Sequence, residues 1–240
     1  MVVPATPYGP LRPGRLFRSG TLVGITETGR SAFDGLGITD VVDLRSERDM
    51  GGYDRPEVGP AVSIHAIPVL TDPTGTHPVG AAIRSRDRDR LNEAIVDRDA
   101  VVEWMRQGYE HLALDETASF ARVLRVVASA DGGVVMNCAA GKDRTGWAVA
   151  TTLLAVGVDV GAVTEEFLLS NVGPSPAGMD PATAELMEPL TGVRAEYLQA
   201  GLDAVATRWS SIDHYLEDAL QVDDELRDQL LRALVERPAG

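Results

Sequence analysis

Residues 133–146 constrain the fold more strongly than any other part of the chain. An apolar run over residues 133–137 leads into the loop Cys-Ala-Ala-Gly-Lys-Asp-Arg at residues 138–144, and a helical pattern begins at Thr145. In a loop between a strand and a helix N-terminus, backbone N–H groups can converge on one point, and the helix dipole adds partial positive charge. The sequence therefore predicts an anion-binding turn at the end of a buried strand, with Cys138 at its centre.

The residues of this loop suit phosphoryl transfer to sulfur. Arg144 offers a planar fork that can hold two phosphate oxygens, and a thiolate within that field is stabilised as a nucleophile. The alternative is that Cys138 is a small buried hydrophobic residue, as lone cysteines usually are. Gly141, which permits backbone conformations open to few other residues, together with Thr145 and Gly146, favours the functional interpretation.

Length and composition limit the class of protein. The 240 residues, 44% of them hydrophobic, suit a single domain, in which we expect a lid at about residues 77–118 and a helical C-terminal part at 181–240. A single cysteine cannot form an intramolecular disulfide. The sequence shows no signal peptide and no apolar run of membrane-spanning length, which predicts a cytoplasmic protein. Export without a signal peptide stays open.

The net charge of −14 argues against nucleic acid and anionic membrane surfaces as partners. The expected partner is instead a phosphorylated protein, lipid or small molecule, with a phosphate or sulfate ion able to occupy the loop. The four histidines are scattered and lack metal-ligand spacing, so neither a metal nor another cofactor is predicted. They are His65, His77, His111 and His214.

Hydrophobic periodicity indicates short strands early, one strand in the middle and helices elsewhere, which predicts an α/β domain. Ser210 and Ser211 are both predicted to be helix N-caps. The charged run at 84–90 is predicted to be a solvated, self-paired surface helix or a mobile segment, with part of a lid over the site as the alternative. Strands are predicted at 15–19, 40–44, 61–68 and 133–137, and helices at 27–36, 94–112, 117–130, 145–156, 162–171, 181–190, 193–207, 212–220 and 223–235.

Five segments resemble the bacterial cysteine-dependent tyrosine phosphatases. They are Gly-Arg-Leu-Phe-Arg-Ser at 14–19, Gly-Ile-Thr-Asp-Val-Val-Asp-Leu-Arg-Ser at 37–46, the loop at 138–146, and the segments 192–198 and 211–216. The resemblance covers nearly the whole chain. It implies a tyrosine-phosphatase-like fold, with a central, mostly parallel short sheet flanked by helices and a helical lid insertion. It also implies activity on phosphotyrosine, with tolerance for other phosphomonoesters and phosphoinositides.

The chain departs from the family in two places. Asn137 stands where the family usually has a histidine that helps to organise the loop, and an asparagine can donate a hydrogen bond but carries no charge. The family's Asn-Phe-Arg-Asp segment before the first strand is also missing. The first difference puts the reactivity of Cys138 in question, and the second puts the substrate in question.

The sequence assigns roles to the loop residues. Cys138 is the predicted nucleophile that forms a cysteinyl-phosphate, and Thr145 is expected to stabilise the thiolate as it leaves. Arg144 and the loop amides are expected to hold the phosphate oxygens. The amides are those of Ala139, Ala140 and Gly141, followed by Lys142.

The general acid has two candidates. Asp43 is the first choice because it ends a buried strand and matches the family's acid in Asp-Leu-Arg-Ser; the alternative is that it pairs with Arg45. Asp143 is the second candidate, although it could instead brace Arg144.

Three further cations are candidate substrate ligands. Lys142 either contacts a second phosphate or a carboxylate of the substrate or is a solvated surface lysine. Arg18 either lines the pocket or pairs with a carboxylate. Arg45 is a candidate phosphate ligand.

Three functions fit these residues. The first is a metal-independent phosphatase of phosphotyrosine or phosphoinositides. The second is a phosphatase of a small metabolite, such as a nucleoside or sugar phosphate, motivated by the missing front segment, Asn137 and the acidic surface. The third is a pseudophosphatase that binds phosphate without turnover, for which Asn137 is the only support.

Overall fold

A four-stranded parallel sheet lies at the centre of the protein. The computed structural model describes residues 5–50, 55–71, 78–85, 88–95, 97–172 and 181–236. In chain order the strands are β1 (Ala5–Thr6), β2 (Gly9–Pro10), β3 (Leu16–Ser19), β4 (Ile38–Asp43), β5 (Ser63–Ala66) and β6 (Gly133–Asn137). The sheet has the strand order β3-β6-β4-β5, and a separate antiparallel ribbon pairs β1 with β2.

Helices cover both faces of this sheet. They are α1 (Glu27–Asp34), α2 (Glu47–Met50), α3 (Pro78–Ser85), α4 (Arg88–Ala94), α5 (Arg98–Leu114), α6 (Thr117–Ser129), α7 (Asp143–Ala155), α8 (Val160–Leu168), α9 (Pro181–Thr191), α10 (Ala195–Trp209), α11 (Ile212–His214) and α12 (Asp224–Leu234). A 3₁₀ turn (Leu169–Asn171) follows α8, and a π turn (Tyr215–Ala219) follows α11. The predicted α/β tyrosine-phosphatase-like architecture is confirmed.

Alternation along the central strands divides the core between the two faces of the sheet. Val134 and Met136 of β6 and Val42 of β4 point into the main core. Val41 and Val135 point the other way, into a smaller cluster beneath α1. This is the two-residue period of a strand that is buried on both sides, as parallel strands covered by helices require.

The register of the sheet brings the site segments to one edge. Asn137, the last residue of β6, is paired with Ser19 on one side and with Asp43 on the other. The segments that follow the three strands therefore emerge side by side at the carboxyl end of the sheet. Functional groups of parallel α/β sheets gather at this edge.

A third apolar cluster lies apart from the main core and involves the predicted lid. Its buried members are Val79, Ile95 and Val101, and partly buried residues of α4, α5 and α9 pack against them. In contrast, Tyr109 and Leu112 of α5 belong to the main core. Any lid in the predicted range 77–118 is thus limited to α3, α4 and the first turns of α5, with α9 as its packing partner.

The structure corrects some details of the sequence prediction. Ser211 is an N-cap, since its hydroxyl accepts from the amide of His214, but Ser210 has a φ of 67° and ends α10 instead. Asp89 and Arg90 are exposed, as expected of a solvated helix, whereas residues 86 and 87 of the charged run lie outside the described residues. None of the helices within the described ranges combines the length and the apolar character that a membrane crossing requires.

Candidate active site

The loop between β6 and α7 needs a glycine at position 141 for two reasons. Gly141 has a φ of 72°, a conformation that side chains with a Cβ rarely adopt. A Cβ at this position would also lie 2.5 Å from the carbonyl carbon of Ser19 at the end of β3. The loop is therefore folded tightly against the first strand of the sheet.

Cys138 lies at the base of this loop, directly after the central strand. It is 2% exposed, and the amide of Gly141 donates to its Sγ at 3.2 Å. Thr145, in the first turn of α7, is fully buried, and its hydroxyl has no hydrogen-bond partner among the described residues. The amide of Gly141 thus already donates to the sulfur. The hydroxyl of Thr145, seven residues further along the chain, is available as a second donor.

Arg144 is buried and held by Asp49, a residue that the sequence analysis did not single out. Nη1 and Nη2 each donate to one Asp49 carboxylate oxygen at 2.7 Å, and Nη1 also reaches the carbonyls of Leu44 and Val69 at 3.3 Å. A guanidinium has five N–H donors. These contacts leave the N–H of Nε and one N–H of Nη2, which lie on the same edge of the guanidinium, for two oxygens of a ligand.

The Asp49–Arg144 pair is ionised at neutral pH. Burial favours the neutral carboxyl, but the hydrogen bonds and charge of Arg144 outweigh it and hold the pKa of Asp49 below its usual value. Burial likewise opposes the charge of Arg144, yet the Asp49 hydrogen bonds raise the pKa of that guanidinium. Asp49 therefore fixes the orientation of a permanently charged fork.

Arg18 braces the loop from outside the pocket. Its Nη2 donates to the carbonyls of Gly141 and Lys142 at 3.0 and 3.2 Å, and its Nη1 pairs with Glu166 at 3.0 Å. The C=O and N–H groups of a trans peptide point in opposite directions. Since Arg18 holds the carbonyls of Gly141 and Lys142, the amide N–H groups of Lys142 and Asp143 point away from Arg18. Of the two predicted roles for Arg18, pairing with a carboxylate is the one observed.

Asp43 and Arg45 form a buried pair with each other. Arg45 Nε and Nη2 donate to the two Asp43 oxygens at 2.9 and 2.7 Å, and both side chains are 5% exposed. Asn137 Nδ2 donates to Asp43 Oδ1 at 3.1 Å. The asparagine that replaces the family's histidine thus ties β6 to β4, and Asp43 shows the alternative role of a strand-end carboxylate paired with Arg45.

Asp143 is the first residue of α7 and is partly exposed. Its Oδ1 accepts a hydrogen bond from the hydroxyl of Tyr109 at 2.9 Å, and its Oδ2 lies 3.4 Å from the ammonium of Lys142. Within the described part of the chain, Asp143 acts on Arg144 through its negative charge, which adds less to the raised pKa of that guanidinium than the hydrogen bonds of Asp49 do. The loop therefore carries a carboxyl group of its own, five residues after Cys138.

Lys142 binds the end of α9 in this structure. Its ammonium donates to the carbonyl of Leu190 and, at 3.0 Å, to that of Gly192. The C-terminal end of a helix carries partial negative charge, so this contact is favourable. Ala139 and Ala140 are exposed and leave the mouth of the loop open.

Sequence reasoning located the loop but missed the residues that support it from other elements. Asp49 lies a few residues after the predicted strand 40–44, and Tyr109 lies inside the predicted helix 94–112, where the local sequence does not indicate a contact with the loop. Nothing in the local sequence distinguishes Glu166, which holds Arg18. Within the described ranges, no group of three or more His, Cys, Asp or Glu is placed to hold a metal ion.

Comparisons with known proteins agree with the geometry. A model of the tyrosine phosphatase family matches residues 3–236. The triple specificity protein phosphatase PtpB of Mycobacterium tuberculosis is 32% identical over 241 aligned positions, which cover 87% of this chain and 87% of that protein. A protein of Cupriavidus necator with the provisional name tyrosine-protein phosphatase is 31% identical over 227 positions, covering 89% of this chain and 77% of its own length.

Proposed function

Since the chain belongs to the tyrosine phosphatase family, we propose that it hydrolyses phosphomonoesters through a cysteinyl-phosphate on Cys138, with phosphotyrosine or a phosphoinositide as substrate. The observation that carries this proposal is the arrangement of Cys138, the loop amides and Arg144, which we call the phosphate cradle. The sulfur of Cys138 accepts a hydrogen bond from the amide of Gly141, and the guanidinium of Arg144 has one edge available for two phosphate oxygens.

The first step transfers the phosphoryl group to sulfur. The thiolate of Cys138 attacks phosphorus, the S–P bond forms, and the bond from phosphorus to the leaving oxygen breaks. Arg144 and the loop amides hold the three other oxygens, on which charge accumulates. The leaving oxygen takes a proton from a general acid, so the alcohol or phenol departs neutral.

The second step releases inorganic phosphate. Water attacks phosphorus, the S–P bond breaks, and the carboxylate that acted as acid accepts a proton from the water. The hydroxyl of Thr145, which has no partner among the described residues, stabilises the departing thiolate.

The contacts favour Asp143 over Asp43 as the general acid, which reverses the order predicted from sequence. Both oxygens of Asp43 accept hydrogen bonds from Arg45, and the group is almost fully buried. A buried carboxylate in a bidentate ion pair would have to break that pair to carry a proton. Asp143 lies on the loop and is partly exposed.

Lys142 is proposed to select substrates with a second negative group. In this structure its ammonium holds two carbonyls at the end of α9, and a second phosphate is a stronger partner for an ammonium than a neutral carbonyl. When a phosphoinositide binds, the ammonium of Lys142 would leave the carbonyls at the end of α9 and bind the second phosphate instead. We propose that the lid, formed by α3, α4 and the start of α5, opens when this contact is lost.

A substrate panel tests the function. We expect phosphate release in EDTA from phosphotyrosine peptides and phosphoinositides, and inhibition by orthovanadate. Nucleotides and sugar phosphates belong in the same panel. A single metabolite far ahead of all peptides and lipids would replace the proposed substrate class with a biosynthetic one, and binding without any turnover would make the chain a pseudophosphatase.

Replacing Asp143 with asparagine should make the rate depend on the leaving group. We expect kcat/KM to fall about 100-fold for unsubstituted phenyl phosphate and little for a dinitrophenyl phosphate, whose phenolate leaves without a proton. Asp43→Asn is the matched control. It should lower the free energy of unfolding by about 3 kcal/mol, because it removes the carboxylate charge that faces the buried guanidinium of Arg45, and it should affect all leaving groups alike. The opposite pattern would return the acid role to Asp43.

A further inference from the structure

Tyr109 is the one buried phenol that contacts the loop among the residues the structure describes. Its hydroxyl donates to Oδ1 of Asp143 at 2.9 Å across 34 residues of sequence. Tyr109 is 1% exposed, so its hydroxyl is shielded from solvent. Neither the family resemblance nor the mechanism above uses it.

The ring of Tyr109 is fixed by other aromatic rings. Phe167 of α8 meets it edge to face with centroids 5.8 Å apart, and Tyr197 of α10 lies 6.0 Å away at an interplanar angle of 31°. Aromatic contacts of this kind stabilise a defined ring position beyond simple burial. The hydroxyl is thus presented to Asp143 by a rigid support rather than by a mobile side chain.

The hydroxyl is also a permanent donor. Burial, together with the negative charge of Asp143, raises the pKa of Tyr109 well above its usual value. Among the described residues, Asp143 Oδ1 is the hydrogen-bond partner found for this hydroxyl. A donor fixed on Oδ1 leaves Oδ2 as the oxygen that carries the proton of the neutral carboxylic acid.

We propose that Tyr109 is a positioning residue for the general acid: its hydroxyl holds Oδ1 of Asp143 and thereby directs the acidic proton on Oδ2 toward the leaving oxygen. The inference rests on the proposed function and on the acid role of Asp143. It assigns to helix α5, whose first turns pack with the third apolar cluster, a part in orienting the general acid of the loop.

The test compares two tyrosines of the same aromatic cluster. Tyr109→Phe keeps the ring and removes the hydroxyl. Tyr197→Phe removes a hydroxyl that donates to the carbonyl of Pro189 at 3.0 Å and is the matched control. The measurement is kcat/KM, which reports the step up to the cysteinyl-phosphate, for aryl phosphates that range from phenyl to dinitrophenyl phosphate.

We expect Tyr109→Phe to lower kcat/KM roughly tenfold for phenyl phosphate and less than about twofold for dinitrophenyl phosphate. Tyr197→Phe should change both substrates equally. In the Asp143→Asn background, Tyr109→Phe should add no further leaving-group dependence, because the proton that it directs is gone.

Two outcomes overturn the proposal, and they differ in what else they affect. If Tyr109→Phe reduces all substrates equally, as Tyr197→Phe does, the tyrosine is structural and the proposed mechanism stands without it. If Asp143→Asn itself shows no leaving-group dependence, the acid assignment fails first and the inference fails with it.

Discussion

Replacing Cys138 with serine should abolish turnover while the loop still binds phosphate. Serine is nearly isosteric, and the surrounding contacts come from backbone and from Arg144, so the cradle persists. A serine hydroxyl at this position lacks the thiolate's nucleophilicity, and losses of about four orders of magnitude or more are usual when a nucleophile is removed.

The measurement combines phosphate release with trapping of the intermediate. The chain contains a single cysteine, so a phosphorylated thiol found after acid quench has one possible location. With a substrate that carries radioactive phosphate, we expect labelled protein for the wild type and none for Cys138→Ser. Both proteins should bind vanadate with similar affinity. Phosphate release from the serine variant at the wild-type rate would exclude a cysteinyl-phosphate mechanism.

Replacing Arg144 with lysine should reduce kcat/KM by about 10³-fold. A guanidinium can hold Asp49 along one edge and two phosphate oxygens along the other, whereas an ammonium offers a compact charge that cannot do both. The substitution also leaves Asp49 with a weaker partner close to a dianionic substrate. Both effects act on the charge that develops in the transition state.

The control for Arg144→Lys is Arg125→Lys. Arg125 makes a hydrogen bond to Gln221 on the surface, so the same exchange there should leave kcat/KM and the melting temperature nearly unchanged. The loss at Arg144 should appear in activity and in phosphate affinity at temperatures where circular dichroism shows a folded protein. A variant within a few-fold of wild type would show that the fork does not contact the transferring phosphoryl group.

The sequence was most informative where the decisive interactions are local. The strand, loop and helix over residues 133–146 follow from an apolar run, a glycine with positive φ and a helical pattern, all within a few residues of one another. The strands before Asp43 and after Gly14 were likewise visible as short apolar segments. Each of these features is set by neighbouring residues, so no knowledge of the tertiary structure was needed.

The partners of the loop could not be predicted because they depend on how distant elements meet. Asp43 and Asp49 lie six residues apart in one charged stretch, and only the placement of β4 beside β6 decides which of them reaches Arg144. In the sequence, Tyr109 is one of the apolar residues on the buried face of a helix. That pattern is the same whether or not its hydroxyl makes a hydrogen bond. The hydrogen bond from its hydroxyl to Asp143 depends on how α5 packs against α7.

The strand order β3-β6-β4-β5 also determines when the site can form during synthesis. The last strand to be made, β6, lies between β3 and β4, which are complete far earlier. β4 can pair with β5 before β6 exists, but β3 has no partner in the sheet until β6 is made. Arg18 then acquires its partner Glu166 only 148 residues later. Such long-range closure is slow compared with local folding. A nascent chain that ends before α8 therefore contains Cys138 but lacks Glu166, the carboxylate that holds Arg18 against the loop.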